Sequence, residues 1–346
     1  MGEILRFGLI GCGRLAPRHA QSLADLPGAR LVAVADVRER RANRFAVEYC
    51  ADPYTDYRDL LARPDVDVVN VCTPSGLHAQ VTLDAIAAGK HVIVEKPIAL
   101  SLAAADRMIA AAERAGVKLC VVLQNRYNPP MQDLKRVVGA GRLGKLLLGA
   151  ATVRWYRPQE YYEDEWHGTL AMDGGALMNQ SIHHVDALQW LMGRPESVFC
   201  YSATLAHRME AEDAGVAVIR FVGGALGVVE GSTITYPENL EGSVAVFGEH
   251  GSCKVGGAAL NRKVFWKIAG ELEHEKELLT REQVDPTSVY GASHQAVIAD
   301  MIEAVRGDRA PQTDGREAKK SLALVLAMYE SAATGRPVDI TDGIWG

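Results

Sequence analysis

The stretch "GLIGCGRLAPRHAQ" (residues 8–21) decides the fold of the first part of this chain. It places Gly11, Gly13 and Ala16 in a G-x-G-x-x-A pattern between an apolar strand pattern and a helical pattern. In such a pattern the first glycine permits a tight turn, the second lets the backbone approach a pyrophosphate, and the small third residue lets helix and strand pack closely. The N–H groups at the start of the helix then attract phosphate. We therefore predict a dinucleotide-binding loop that includes Gly11, Gly13, Arg14 and Leu15.

A carboxylate further along the chain indicates which dinucleotide binds. Asp36 ends the second predicted strand, "ARLVAVAD" (29–36), about twenty residues after the glycines, as the dinucleotide-binding pattern requires. A carboxylate there accepts hydrogen bonds from ribose hydroxyls and repels a 2′-phosphate. Arg38 is a counter-argument, because its guanidinium could reach a phosphate or stack on adenine. We predict NAD as the cofactor, with Asp36 and Arg38 at its adenosine end, and regard NADP as the less favoured choice.

The first third of the chain alternates apolar runs with amphipathic helical stretches. The runs are near-continuous rather than alternating, which suits a parallel sheet covered on both faces. Strand–helix alternation of this kind indicates right-handed crossovers and a doubly wound sheet. We predict an α/β fold whose N-terminal domain, residues 1–123, is a NAD-binding Rossmann domain, with strands at 5–11, 29–36, 66–74, 91–95 and 117–124.

After about residue 123 the pattern changes to successive strand-like segments separated by Gly-rich turns. Gly223-Gly224 lies between two apolar runs and predicts a hairpin turn. We predict that residues 124–346 form a substrate-binding and oligomerisation domain of α/β type with a largely antiparallel open sheet. Its covering helices are predicted at 179–192, at 292–306 and from about 316 to 334.

Composition argues against several classes of function. Apolar residues make up 48% and charged residues 23%, which is ordinary for a globular protein, and the net charge of −6 argues against nucleic acid. The six cysteines form no C-x-x-C pair, so structural zinc and a disulfide framework are disfavoured. Met1 leads within three residues into a strand pattern, and no apolar run is long enough to span a membrane. We expect a cytoplasmic protein without metal, membrane or nucleic-acid partner.

Polar residues follow the predicted parallel strands where ligands of doubly wound sheets bind. "NVCTPSGLH" (70–78) follows one strand with a threonine and a proline, and "HVIVEKP" (91–97) ends the next with a charged pair. Because ligands bind outside the carboxyl ends of such strands, these residues should face the cofactor crevice. A residue before proline has an extended backbone, which restricts the direction of the Lys96 side chain. The predicted cofactor-binding residues here are Thr73, Pro74, His78, Glu95 and Lys96.

At these residues the sequence resembles the Gfo/Idh/MocA family, named for glucose–fructose oxidoreductase, inositol dehydrogenase and a rhizopine-catabolism protein. The motifs that carry the resemblance are "AGKHVIVEKPIAL" (88–100) and the loop at 70–78, and the similarity extends over roughly residues 5 to 340. In that family the lysine of the Glu-Lys-Pro motif lies beside the nicotinamide and contacts the reacting hydroxyl. The resemblance thus implies that Lys96 is catalytic and that Pro97 is in the cis form.

The helix predicted in "DGGALMNQSIHHVDALQWLMG" (173–193) carries the second candidate group. Asn179, His183 and Asp186 share one helix face at i, i+4 and i+7. Many members of the family have an aspartate four residues before a histidine here, and both contact substrate. The resemblance implies a catalytic His183 and a substrate-binding Asn179. Since an amide cannot accept a proton, His183 is the remaining side chain there whose pKa suits a base.

The neighbouring His184 points elsewhere on the helix and is predicted to be structural. A zinc site built from His183, His184 and Asp186 is disfavoured, because residues i and i+1 do not share a helix face.

"Met178-Asn179-Gln180" is similar to a narrower branch of the family, the dehydrogenases acting at C3 of UDP-N-acetylglucosamine or its uronate. The segment "WYRPQEYYEDEWHGTLAMDGG" (155–175) also resembles that branch. Aromatic rings and arginine suit a sugar ring and an anionic group, although a packed loop would explain the same composition. The candidate substrate-binding residues in addition to Asn179 are Arg126, Asn128, Arg157, Tyr162 and Trp166.

The sequence therefore predicts hydride transfer between a secondary alcohol of a sugar, in a nucleotide sugar or related carbohydrate, and NAD. His183 takes the hydroxyl proton and Lys96 stabilises the oxyanion, although Lys96 could itself be the principal base. Three alternatives stay open: an inositol or free-sugar dehydrogenase, a glycosidase that uses NAD transiently, and a non-catalytic NAD(P)-binding regulator. In the family, sheet faces of the second domain pair between subunits, which implies a homodimer or homotetramer.

Overall fold

Two units make up the chain in its computed structural model, which describes residues 4–257, 259–270, 293–340 and 342–344. The first unit consists of the described residues within Met1–Leu123 and Ala292–Lys319. The second consists of those within Gln124–Gly291 and Lys320–Gly346. The predicted boundary after residue 123 matches the end of the first stretch, but a later segment also belongs to the first unit.

The described strands of the first unit form one parallel sheet. Its spatial order is β3-β2-β1-β4-β5-β6, in which every neighbouring pair is parallel. The central strands are rich in Val, Ile and Leu and buried, as expected for a sheet covered on both faces. This confirms the predicted doubly wound fold. The strands are β1 (Leu5–Ile10), β2 (Ala29–Ala35), β3 (Asp52–Tyr54), β4 (Val68–Val71), β5 (His91–Val94) and β6 (Leu119–Val121).

The register of this sheet aligns the strand ends. Ile10 lies opposite both Ala35 and Val71, and Val94 lies opposite both Val71 and Val121. The residues that directly follow four different strands are therefore brought to a single edge of the sheet. This edge is where a doubly wound sheet binds its ligand.

Helices connect the strands of the first unit, and local sequence explains several of their ends. Gly116 has φ +66° directly after α5, in the left-handed region that suits a glycine at a helix C-terminus. At the other end of α5, Ser101 accepts a hydrogen bond from Ala104 N at 3.3 Å. The helices are α1 (Ala16–Ala24), α2 (Glu39–Tyr49), α3 (Tyr57–Leu61), α4 (His78–Ala87), α5 (Leu102–Ala115) and, from the later segment, α8 (His294–Arg306).

The later segment corrects one prediction. A helix was predicted at 292–306 to cover the second sheet, but α8 packs instead on α1 and β5 of the first unit; residue 292 lies outside the described residues. The segment also extends the first sheet, since Val121 N donates to Thr313 O at 2.8 Å and Thr313 Oγ1 donates to Val121 O at 2.7 Å. Helical periodicity predicts a buried face but does not specify which sheet buries it.

The described strands of the second unit form a second sheet in the order β13-β12-β11-β7-β10-β9-β8-β14. Neighbours are antiparallel except β7 and β10, which are parallel. The predicted Gly223-Gly224 turn joins β9 to β10, with Gly224 at φ +83°. The strands are β7 (Leu146–Arg154), β8 (Pro195–Ala203), β9 (Ala214–Phe221), β10 (Leu226–Ser232), β11 (Glu241–Gly248), β12 (Gly251–Gly256), β13 (Arg262–Ile268) and β14 (Val338–Asp339).

One helix of the second unit is central to the candidate site. This helix, α7 (Ile182–Met192), lies on β7 and β11 and is buried on almost every side. It is preceded by a single π-helical turn, Ala176–Gln180, a feature that is frequent at functional sites. The other helices are α6 (Pro129–Gly139) and α9 (Gly315–Thr334), whose residues up to Lys319 are assigned to the first unit.

Two further observations bear on the expected setting of the protein. Within the described residues, no helix has both the length and the apolar character needed to cross a membrane. All six cysteines lie in the described part of the chain, and none of them forms a disulfide.

Replacing Met301 by alanine tests the placement of α8. Met301 is fully buried in this helix, so Met301→Ala should lower the free energy of unfolding by about 2–5 kcal/mol through lost apolar burial and the cavity left behind. Urea denaturation followed by circular dichroism measures this change. Glu303→Ala, on the exposed face of the same helix, is the control and should change stability by less than about 1 kcal/mol. Equal stability of the two variants would contradict the packing of α8.

Candidate active site

The glycine loop of the first unit has the geometry of a phosphate-binding loop. Gly11 has φ +93°, and a Cβ atom there would lie 2.6 Å from the backbone oxygen of Cys72, so this position requires glycine. A Cβ on Gly13 would meet no described heavy atom within 4 Å. Gly11 therefore shapes the turn, whereas Gly13 leaves open space above the backbone for a ligand.

The helix that follows the loop begins without a side-chain cap. Leu15 occupies the N-cap position of α1, and its side chain offers no acceptor for the first N–H groups of the helix. Ala16 is fully buried, which lets α1 pack closely on the sheet. The positive end of the dipole of α1 and the open space at Gly13 together fit the pyrophosphate of a dinucleotide. The predicted Arg14 lies in the same loop.

The carboxylate of Asp36 is held at the edge of the loop. Its Oδ2 accepts from Cys12 N at 2.9 Å, and its Oδ1 accepts from Arg38 N at 2.8 Å. The acid is thus fixed between the glycine loop and the end of β2, where ribose hydroxyls bind in this fold. The side chain of Arg38 is exposed and, with Glu39, Arg40, Arg41 and Arg44, lines a surface depression at the start of α2.

Lys96 lies two residues after the end of β5, and its peptide bond to Pro97 is cis, as the family resemblance implied. His78 lies behind this turn and is almost completely buried. Its Nδ1 lies 2.7 Å from Pro97 O and its Nε2 lies 3.0 Å from Thr73 O. His78 thus joins the Thr73-Pro74 loop to the Lys96-Pro97 turn, and a direct contact of its ring with the cofactor stays a prediction.

Glu95, which precedes this lysine, points into the interior of the first unit. Its Oε1 lies 2.9 Å from His19 Nε2 and 3.7 Å from His294 Nε2, and its Oε2 accepts from Lys96 N at 3.2 Å. Burial alone would raise the pKa of Glu95, but the hydrogen bonds with His19 and His294 hold it well below the usual range. Both oxygens of the carboxylate thus have partners within the first unit, and its predicted contact with the cofactor stays a prediction.

In the second unit, the π-helical turn presents Asn179. The amide Nδ2 of this residue donates to Asp173 Oδ1, while Asp173 Oδ2 accepts from Gly168 N at 2.8 Å. A donated Nδ2 directs the amide oxygen of Asn179 away from Asp173. Although residue 179 is not acidic, a buried carboxylate therefore stands directly behind it.

The same turn is supported by a second buried acid. Glu212 Oε1 accepts from Leu177 N at 2.8 Å and from Tyr329 Oη at 3.0 Å. Burial raises the pKa of Glu212 to about 7. A Cβ on Gly175 would lie 2.0 Å from Glu212 Oε2, so the Gly174-Gly175 pair lets this carboxylate approach the backbone of the turn.

The two adjacent histidines of α7 lie in different surroundings. His183 Nε2 lies 3.4 Å from the amide nitrogen of Gln124, and because that nitrogen can only donate, Nε2 is the acceptor in this contact. His184 meets the indole of Trp155 edge-on at 5.8 Å, and burial lowers its pKa to about 4. This environment suits a structural His184.

Arg126 and Asn128 were predicted to contact substrate, and the structure gives both of them internal partners. Arg126 forms a buried bidentate ion pair with Asp186, in which Nε and one terminal nitrogen each lie 2.7 Å from a carboxylate oxygen. Its guanidinium also lies over the ring of Trp190. Asn128 Nδ2 donates to Ala259 O. These contacts anchor the segment before α6, and a contact of either residue with substrate stays a prediction.

Three predicted substrate-binding residues of the aromatic segment, Arg157, Tyr162 and Trp166, have different surroundings in the second unit. The guanidinium of Arg157 lies 5.2 Å from the centre of the Trp155 ring and donates to Asn239 Oδ1. Tyr162 is buried, and its hydroxyl donates to Thr233 Oγ1 at 2.9 Å. Trp166 is half-buried and lies against the ring of His167 at 3.7 Å. Arg157 and Trp166 retain exposed surface for a ligand, whereas the Tyr162 hydroxyl is engaged internally.

Sequence reasoning missed the residues that support these groups. His19 and His294 contact Glu95, Asp173 contacts Asn179, and Glu212 holds the π-helical turn. Only Asp173 gave a local signal, since it lies six residues before Asn179 in the quoted motif. The others are distant in sequence, and no spacing rule relates them to their partners.

Comparison with protein-family models gives two matches. The model of the oxidoreductase family with the NAD-binding Rossmann fold matches residues 5–123. The model of the GFO/IDH/MocA C-terminal domain matches residues 131–254. The two matches correspond to the first stretch of unit one and to most of the sheet of unit two.

Individual proteins are similar over nearly the full length. The chain is 41% identical to the WlbA dehydrogenase of Bordetella pertussis, solved with NADH and UDP-GlcNAcA, covering 98% of each chain with a TM-score of 0.93. It is 40% identical to the WlbA dehydrogenase of Chromobacterium violaceum, solved with the same two ligands, covering 99% of this chain and 97% of that one with a TM-score of 0.91. It is 29% identical to the myo-inositol 2-dehydrogenase of Thermotoga maritima, covering 98% of this chain and 100% of the relative.

Two alanine substitutions in the glycine loop should separate folding from cofactor binding. Gly13→Ala should leave the melting temperature unchanged, since the new Cβ meets no protein atom, yet weaken NADH binding at least about tenfold because the methyl group occupies the space for the pyrophosphate. Gly11→Ala should also destabilise the fold by about 1–3 kcal/mol through its positive φ and the contact with Cys72. Thermal melts and NADH fluorescence titrations measure both effects. Unchanged NADH affinity in Gly13→Ala would contradict the assignment of the loop.

Proposed function

We propose that this chain, which belongs to the Gfo/Idh/MocA family of oxidoreductases, oxidises a secondary alcohol of an anionic nucleotide sugar of the UDP-GlcNAcA class. The chain is an NAD-dependent oxidoreductase that acts on the CH–OH group of a sugar. The observation that carries the narrower substrate class is the full-length similarity to the two WlbA dehydrogenases that were solved with UDP-GlcNAcA.

The residues of the first unit fit NAD. Gly11, Gly13 and the uncapped start of α1 would hold the pyrophosphate, and Asp36 would hold the adenosine ribose. NAD supplies the acceptor for a hydride when it is bound. The carboxylate of Asp36 favours NAD over NADP, because a 2′-phosphate would be repelled.

We assign Lys96 and His183 to the proton chemistry. The Lys96 ammonium stabilises negative charge on the substrate oxygen as the O–H proton leaves. His183 accepts that proton at its imidazole. Asn179, with its amide nitrogen used by Asp173, offers its oxygen to a neighbouring sugar hydroxyl.

Arg157 and the surrounding rings support an anionic sugar. The guanidinium is held by the face of Trp155 and by Asn239, so it keeps a fixed orientation toward a phosphate or carboxylate. Trp166 retains exposed surface on which a sugar ring can pack. An inositol has neither an anionic group for Arg157 nor a nucleotide.

An inositol dehydrogenase is the second candidate, favoured by the full-length similarity to the Thermotoga maritima enzyme. Asn179 argues against it, because many members of the family have an aspartate at this position, four residues before the histidine. A glycosidase that uses NAD transiently would produce no net NADH. A non-catalytic regulator would not need the two proton-handling groups at residues 96 and 183.

A substrate panel tests the proposal. Purified protein is mixed with NAD and, separately, UDP-GlcNAcA, UDP-GlcNAc, the free uronate and myo-inositol, and NADH absorbance is followed. We expect the largest kcat/KM with UDP-GlcNAcA, and we expect Lys96→Met to lower kcat by about 10²- to 10³-fold through lost oxyanion stabilisation. His183→Asn should lower kcat about 10²- to 10⁴-fold, whereas His184→Asn should affect stability more than kcat.

The outcomes of the panel separate the candidates. A preference for myo-inositol would replace the nucleotide-sugar proposal with the second candidate. Aryl glycoside hydrolysis without net NADH would identify the glycosidase. Failure with every compound, in protein freed of bound nucleotide, would leave the regulator.

We also propose that the chain forms a homodimer or homotetramer through the outer face of its second sheet. Exposed apolar side chains cross this face in register: Tyr201 lies opposite Val216, and Leu226 lies opposite Leu148. Val218, in the middle of β9, is 55% exposed. Exposed apolar side chains grouped on one face of a sheet are typical of an interface, and the same face of a second copy would cover them.

A charge placed on this face should disrupt the assembly. Val218→Glu should convert the oligomer to a smaller species, because burying an unpaired carboxylate is unfavourable. Size-exclusion chromatography with light scattering measures the mass. Val47→Glu, on the exposed face of α2 in the first unit, is the matched control and should leave the mass unchanged. A parent protein that is already monomeric would refute this interface.

We infer a cytoplasmic location, in keeping with six cysteines that form no disulfide. Detection of the protein in an extracellular or membrane fraction of its source cells would contradict this.

A further inference from the structure

We propose that His19, Glu95 and His294 form a buried positioning triad that fixes the direction of Lys96 in the first unit. The inference rests on the proposed catalytic role of Lys96 and adds three residues to the machinery around it. None of the three would contact substrate; they act through the turn that carries the lysine.

The triad joins three separate elements. His19 lies on α1, the helix that begins at the phosphate-binding loop, Glu95 directly follows β5, and His294 begins α8. All three side chains are at least nine-tenths buried. The Glu95 carboxylate therefore connects α1, the Lys96-Pro97 turn and α8.

The two oxygens of Glu95 have different tasks. Oε1 faces the imidazoles, at 2.9 Å from His19 Nε2 and 3.7 Å from His294 Nε2, while Oε2 accepts from the backbone N–H of Lys96 at 3.2 Å. The second contact acts on the residue whose side chain performs the chemistry. A carboxylate has acceptors for both tasks, whereas an amide has a single oxygen.

The surroundings of His19 complete the arrangement. Burial alone would lower the pKa of His19, but Cys72 and Glu95 raise it above the usual range. The side-chain amide nitrogen of Asn70 lies 2.9 Å from His19 Nδ1, and because an amide nitrogen can only donate, Nδ1 is the acceptor in this contact. The other ring nitrogen, Nε2, then carries the proton that faces Glu95 Oε1.

The same three residues could hold a metal ion, since their ligand atoms lie within 4.8 Å of one another. The contacts favour the positioning triad. His19 and Glu95 are already at hydrogen-bonding distance, and the second oxygen of Glu95 is committed to the backbone of Lys96. A metal would have to take the place of the proton between His19 and Glu95.

Glu95→Gln is the central test, because it keeps the size of the side chain and removes one acceptor. We expect kcat to fall about 10- to 100-fold while NADH affinity stays unchanged, since the lysine is misdirected and the phosphate loop is intact. Mass spectrometry can follow the acylation of Lys96 as a function of pH in the absence of substrate. We expect this pH profile to move to lower pH, because the loss of a neighbouring negative charge lowers the pKa of Lys96. The charged and titratable groups around this carboxylate are Arg18, His19, Cys72, His78, Lys96 and His294.

Two further variants keep the test decisive if Glu95→Gln folds poorly. His294→Asn removes one imidazole and should produce a smaller change in the same direction. Asp300→Asn, on the same helix α8, breaks a partly buried ion pair with Arg309 that does not involve the triad, and it serves as the matched control. It should lower stability while the acylation profile of Lys96 stays in place.

The results separate this inference from the proposed function. A fall in kcat together with a displaced Lys96 profile supports the triad. Unchanged kcat in Glu95→Gln, or a fall in kcat with an unmoved Lys96 profile, overturns it. A stoichiometric metal in the parent protein that is lost in His294→Asn also overturns it. If no sugar is oxidised, the proposed function fails, while the acylation profile still decides whether the triad controls Lys96.

Discussion

The register of the parallel sheet is the constraint on which the first unit's site depends. Ile10, Ala35, Val71 and Val94 end their strands in a common row. Four features come from separate places in the sequence and become neighbours because these strands end together. They are the turn at Gly11, the carboxylate of Asp36, the Thr73-Pro74 loop and Lys96. A shift of one residue in β5 would turn the side chains of that strand to the opposite face and move Lys96 out of the row.

Features that depend on local chemistry could be predicted from the sequence. Gly11 is required by a positive φ and a close backbone contact, and both follow from the turn between a strand and a helix. Asp36 and Lys96 each follow an apolar run, so their position at the sheet edge was predictable once the runs were identified as parallel strands. The hairpin at Gly223-Gly224 was likewise encoded in adjacent residues.

Features that depend on tertiary partners could not be predicted from the sequence. An arginine beside a predicted site suggests substrate binding, yet the structure pairs Arg126 with Asp186, sixty residues away. The apolar face of α8 predicted burial but not its location on the first unit. Asn179 suggested that this position lacks a carboxylate, yet the structure places Asp173 directly behind it. In each case a side chain's identity was clear from the sequence and its partner was not, because the partner is chosen by the fold.

The late segment of the first unit has a consequence for how this protein can be divided. Because residues 293–319 complete the cofactor unit, a ribosome must synthesise nearly the whole chain before that unit can close. A protein fragment ending at Leu123 would lack α8 and Thr313. The surfaces of α1 and β5 on which α8 packs would then be exposed, and β6 would lose its hydrogen bonds with Thr313. An exchange of the first unit between relatives must therefore transplant two pieces of gene, which flank residues 124–291 of the second unit.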